Sequence, residues 1–164
     1  MALYLCVRHQ PPPGKPAGRE GGAYMSEENK ALARHSWELV TEGSLDILED
    51  ALAAVYADDF ILHEAGEDIV GIEGLTQFVS MMRSALPDLR ITIEDDMAEG
   101  DKVVTRWIGQ GTHQGELMGV APTGNQVTVT GITIHRIAEA KIVEEWSNWD
   151  ALGLMQQIGA VPSP

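Results

Sequence analysis

The spacing of apolar residues changes once along this chain, and that change bounds the folds open to it. Up to residue 86 the positions that share one face recur at helical intervals: Leu32, Ser36, Leu39 and Val40, then Leu48, Leu52 and Val55, then Leu75, Phe78, Val79 and Met82, all but Ser36 apolar. Beyond Pro87 the period falls to two, in Leu89–Glu94, in part of Val103–Gly111, in Gln126–Ile137 and in Lys141–Trp149. The first part predicts helices over 27–42, 45–56 and 72–86. Ser26 and Ser44 serve as caps, Gly43 as a stop, and Pro87 ends the third helix. Asp58–His63 reads as a short strand, and Ala151–Ile158 as a closing helix. Glu99-Gly100-Asp101-Lys102 turns one hairpin, and Ala121-Pro122-Thr123-Gly124 fits a type I turn. Helices followed by long antiparallel hairpins make an α+β fold. Long strands twist, and a curled sheet with helices laid across it leaves an apolar cone with an open mouth. That shape suits a small molecule.

The remaining sequence sets limits on partners. Twenty-five acidic residues against 11 basic ones give a net charge of −14, which repels phosphate backbones and anionic membranes. No nucleic-acid partner and no membrane association are therefore expected. Cys6 is the single cysteine, so no disulfide can form within one chain, which favours a reducing, cytoplasmic setting. Prolines and glycines crowd residues 11–22, and residues 1–24 read as a disordered extension ahead of one folded domain at 25–160.

Several familiar chemistries find no residues here. The chain carries no HExxH, no paired-cysteine zinc pattern, no G-x-S-x-G elbow and no dinucleotide or P-loop glycine pattern. No metal or cofactor is expected, which leaves acid–base groups. Alternation places Ile142, Glu144, Trp146, Asn148 and Asp150 on one strand face. If Trp146 faces the cone, Asp150 lies on the same side, partly desolvated among Trp146, Trp149 and Leu152 and so suited to general base work. The competing reading is that Asp150 only caps the final helix. His135 shares parity with Val129, Gly131 and Thr133, and could donate to a developing oxyanion or sit as a satisfied core histidine. Trp146, Trp107, His63, His113 and Asn148 are the candidate substrate-binding residues, the tryptophans and histidines with plain structural alternatives as core or loop residues.

Gly111-Thr112-His113, Pro122-Thr123-Gly124, Val129-Thr130-Gly131 and Glu145-Trp146 through Asp150-Ala151-Leu152-Gly153-Leu154 together resemble the SnoaL-like polyketide cyclases, also called ester cyclases. The resemblance runs from about Glu28 to Gly159. It implies the cone-shaped fold of nuclear transport factor two, also described as a cystatin-like α+β barrel: a curved antiparallel sheet packed against three N-terminal helices. It also implies a homodimer or higher homo-oligomer, and cofactor-free acid–base closure of a ring in a polyketide ester or other small carbonyl compound. The family's catalytic aspartate matches Asp150 and its assisting histidine His135. A hydrolase, isomerase or dehydratase of a small carbonyl compound, or a non-catalytic binder of an apolar ligand, are the rival readings. One departure is Ala138-Glu139-Ala140-Lys141, where the family has an Asp-Gly turn; without glycine a looser hairpin is expected there.

Overall fold

A computed structural model describes residues 19–64 and 66–162. Four helices, α1 (Arg19–Thr41), α2 (Leu48–Val55), α3 (Gly71–Ala85) and α4 (Ala151–Gln157), pack against six strands. The strands are β1 (Tyr56–Glu64), β2 (Glu67–Val70), β3 (Arg90–Glu99), β4 (Lys102–Thr112), β5 (Gln126–Ala138) and β6 (Lys141–Trp149). They form one sheet in the order β2-β1-β6-β5-β4-β3. The architecture is α+β, as the change of period predicts.

Four details differ from expectation. Helix α1 begins at Arg19, so Ser26 lies inside it rather than at its cap, and part of the proposed extension is helical; residues 1–18 lie outside the described residues. The sheet is not wholly antiparallel, because β1 runs parallel to β6. Strand β2, too short to leave an alternation signal, adds an edge hairpin to β1. Finally, the Ala138–Lys141 hairpin is tight. Ala138 pairs with Lys141, and Glu139 and Ala140 take φ of 52° and 59° in a two-residue turn that glycine or asparagine would enter more easily.

The helices cover one face of the sheet. Along β5 the odd residues Val127, Gly131, Thr133, His135 and Ile137 are buried beneath them, whereas Ile132 on the opposite face is 48% exposed. Two apolar clusters form on the covered side. One joins Leu52 and Val55 of α2 to Phe60, Val103 and Ile142; the other joins Leu86, Leu117 and Val127 to Leu154 and Ile158. Burying side chains such as Leu52 and Phe60 contributes about 1.5–3 kcal/mol each. The clusters close the two ends of the fold and leave a cavity between them. No helix among the described residues is long and apolar enough to cross a membrane.

Candidate active site

The cavity has a volume of about 380 Å³, within the range of small-molecule sites. Its inward residues on β5 pass from Val127 and Val129 to Thr133 and His135, so an apolar stretch leads to polar groups beside the closed core. Gly131 leaves room for the Trp107 indole, because a Cβ there would lie 2.3 Å from the ring. Trp107 Nε1 donates to Thr133 Oγ1 at 3.0 Å, and that hydroxyl lies 3.1 Å from Ser147 Oγ. The indole is thereby fixed against the sheet with its N–H satisfied.

Beside this chain of contacts lies a histidine–carboxylate pair. His135 Nδ1 is 2.7 Å from Glu145 Oε1, and the two residues are only 1% and 6% exposed. His135 Nε2 is buried and has no hydrogen-bond partner. A carboxylate in that position is matched by an Nδ1–H donor, and the tautomer with its proton on Nδ1 carries its lone pair on Nε2. Tyr56 also lines the cavity; burial, with the Glu145 charge beside it, pushes its phenol well above the usual range. Glu64 and the exposed Glu67 are further carboxylates of the lining. Burial raises the pKa of Glu64, the Trp149 N–H donated to it works in the opposite direction, and the charge of Glu145 adds to the rise.

The residues singled out from sequence separate into three places. His135 and Trp107 line the cavity. Trp146, His63 and Asn148 do not join them: Trp146 stacks on His63 at 5.6 Å with the rings 21° apart, and Asn148 is exposed. His63 is held between Asp68 at 2.8 Å and Glu144 at 3.1 Å. His113 is fully buried in the loop after β4, with Nδ1 3.0 Å from Thr123 Oγ1. The tight turn of that loop falls at Met118-Gly119, between the paired Leu117 and Val120.

Asp150 is exposed and outside the cavity lining. It is the N-cap of α4, accepting from the Gly153 backbone N–H at 2.8 Å. The physical reason is a β-bulge. Arg136 pairs with Glu144 but Ile137 pairs with Ile142, so Val143 is an extra residue that reverses the alternation. Ile142 then faces the core together with Glu145, and the inward set continues as Ser147 and Trp149. The face shared by Trp146, Asn148 and Asp150 is the other one. Glu145, Glu64, Glu67, Tyr56 and Trp37 are among the cavity residues that sequence reasoning missed. A glutamate directly opposite a strand histidine was the available signal for Glu145, but only pairing in register reveals it.

Comparison with known proteins fits this architecture. The sequence pattern of SnoaL-like polyketide cyclases matches residues 30–158. The chain belongs to that family. Among solved structures, AclR from Streptomyces galilaeus, a candidate hydroxylase, is 27% identical over 85% of each chain, with a TM-score of 0.74. Wild-type IdmH from Streptomyces antibioticus, a candidate polyketide cyclase, is 28% identical over 80% of this chain and 98% of its own, with a TM-score of 0.67. A candidate SnoaL-like cyclase from Jannaschia sp. CCS1 shares the fold at 24% identity, over 91% of this chain and all of its own, with a TM-score of 0.74. No curated protein matches the sequence. Relatives named for different reactions on one fold mean that the chemistry has to be argued from the site.

Proposed function

We propose that this family member catalyses cofactor-free, intramolecular aldol-type ring closure of a small carbonyl compound or polyketide ester. The observation that carries the reading is the His135–Glu145 pair: one imidazole nitrogen is pinned by a carboxylate, the other is buried without a partner, and the residue lines an apolar cavity. That arrangement is a general base with a set tautomer and little competition from water. The role expected of Asp150 passes, in this reading, to His135 with Glu145 as its positioning residue.

The step balances without a co-reactant. His135 Nε2 removes a proton from the carbon next to a carbonyl, and the C–H electron pair becomes an enolate. The enolate carbon attacks a second carbonyl of the same molecule and forms the ring bond. The resulting alkoxide takes the proton back from the imidazolium. Glu64 lines the same cavity, and burial is the main cause that raises its pKa. Enclosure holds both ends of one molecule together, which supplies much of the rate.

The lining also selects by charge. Glu64, Glu67 and Glu145 contribute to it, and no lysine or arginine does among the described residues. An anionic substrate would meet the carboxyl groups of buried Glu145 and part-buried Glu64 with no lysine or arginine to offset its charge. The expected substrate is therefore neutral, a ketone or an ester rather than a free acid. Mass spectrometry of wild type and His135→Gln with β-keto esters and anthrone-type polyketide mimics tests this. A ring-closed product of unchanged mass from wild type alone supports it; tight binding without product from either protein overturns it in favour of a binder.

A further inference from the structure

The indole N–H of Trp37 is a second buried polar group in the cavity without a partner. Trp37 stands on α1 beside Ser36, and its ring meets His135 edge-on, with centroids 5.8 Å apart and planes at 85°. Its other neighbour is Trp107, 5.4 Å away, whose own N–H is already committed to Thr133. Two adjacent rings thus carry two unpartnered groups, the Trp37 Nε1 donor and the His135 ring nitrogen Nε2, which the proposed base role makes an acceptor. Leaving a donor unpaired in a protein interior is costly, and that cost is recovered when a ligand brings the missing acceptor.

We propose that Trp37 is the oxyanion donor of this site, and that Trp37 and His135 together read the fragment H–C–C=O. This rests on the base assignment to His135 and extends it. The carbonyl oxygen accepts from Trp37 Nε1 while the neighbouring C–H faces His135 Nε2. When the proton leaves, negative charge gathers on the oxygen already facing the indole, so the hydrogen bond strengthens in the transition state. A donor of this kind accelerates a reaction by more than it tightens ground-state binding. The same pairing gives specificity. A ligand with a carbonyl but no adjacent C–H uses only the donor, and an alkane of the same shape uses neither.

The test uses 2-naphthol, an aromatic enol whose ionised form imitates an enolate, with ¹⁵N-labelled full-length protein. The four tryptophans give four indole N–H resonances, and Trp37→Phe assigns one by its disappearance. The expected result is that 2-naphthol binds, moves the Trp37 resonance downfield, and binds Trp37→Phe about 10- to 100-fold more weakly, as for loss of a hydrogen bond to a charged group. On any substrate the wild type turns over, Trp37→Phe should lower kcat about 10²- to 10³-fold with little change in KM. Phenylalanine keeps a ring against Trp107, so an unchanged melting temperature separates this loss from a packing defect. If 2-naphthol binds and perturbs His135 but leaves the Trp37 resonance in place, and Trp37→Phe binds it equally well, the donor role is overturned while the base assignment stands. If 2-naphthol does not bind wild type at all, both are overturned.

Discussion

Two histidines on opposite sides of the sheet make the same kind of contact and have different capacities. His63 and His135 each hold a carboxylate from β6, Glu144 and Glu145, which are consecutive in sequence and point to opposite faces. His63 has both ring nitrogens occupied, by Glu144 and Asp68, and its side chain is 32% exposed. Those hydrogen bonds, accepted by Glu144 first and Asp68 second, raise its pKa and favour a cation held in a surface network with Arg136, itself 2.7 Å from Glu144. His135 has one nitrogen occupied, and the other is shut away from water. A histidine with no free nitrogen contributes charge; a buried histidine with one free nitrogen at an apolar cavity wall can move a proton.

Substitution at the inner pair gives the largest expected effect. His135→Gln should lower turnover about 10²- to 10⁴-fold, the usual contribution of a positioned general base. His63→Gln should leave turnover unchanged under the same assay. Equal losses from both would erase the distinction. Glu145→Gln sharpens it further: the amide can donate to Nδ1, which shifts the imidazole proton to Nε2 and removes the base while the ring stays in place. Nearly full loss of turnover with wild-type affinity for 2-naphthol, measured by titration, is the expected signature.

Next in size is Gly131→Ala. Its Cβ would meet the Trp107 indole at 2.3 Å, so the ring must move off the sheet into the cavity. Overpacking of this kind costs about 1–3 kcal/mol, readable in denaturant midpoints. The cavity should also shrink, with ligand affinity falling alongside stability. Ile132→Ala, one residue away on the open face, should cost much less. A reversed order would mean that the open face is covered in solution.

How far the sequence revealed this site follows from the two strands. On β5 the alternation is unbroken, so the grouping of Val129, Gly131, Thr133 and His135 on one face holds throughout. On β6 the bulge at Val143 shifts the parity, and alternation carried across it groups Ile142 with residues that face the other way. No residue at that position announces a bulge, since valine is an ordinary strand residue. The helices were legible from their period rather than their caps: Ser44 caps only the short 3-10 turn ahead of α2, and α1 continues upstream of Ser26 without a break that composition could signal. Trp37 lay beside the apolar stripe of α1, but an unpartnered N–H is a property of tertiary packing and leaves no trace in spacing.

Asp150 offers a smaller test of the same lesson. Asp150→Ala should cost about 1 kcal/mol through loss of the α4 cap, measured by chemical unfolding. Turnover should survive, because the carboxylate is outside the cavity and engaged with Gly153. A loss of activity on the scale expected for His135→Gln, without a matching loss of fold, would return the acid–base role to the aspartate.

The smallest expected effect belongs to the outer histidine, and its sign is informative. His63 has a folded-state pKa above its ordinary 6.5, so its stabilising contribution is complete below that value and is lost as pH rises through the raised pKa. Glu144 has a folded-state pKa below its ordinary 4.5, held down by His63 first and Arg136 second, so its contribution is complete above 4.5 and is lost as pH falls through the lowered value. The stability gap between wild type and His63→Gln should therefore be widest between about pH 4.5 and 6.5 and narrow on either side. Its size should stay below about 1 kcal/mol, because exposed pairs are screened, and it should diminish further with added salt. The His135–Glu145 pair, closed off from solvent ions, should show no such salt dependence in turnover, and a common salt response at both histidines would mean that the inner one is open to water.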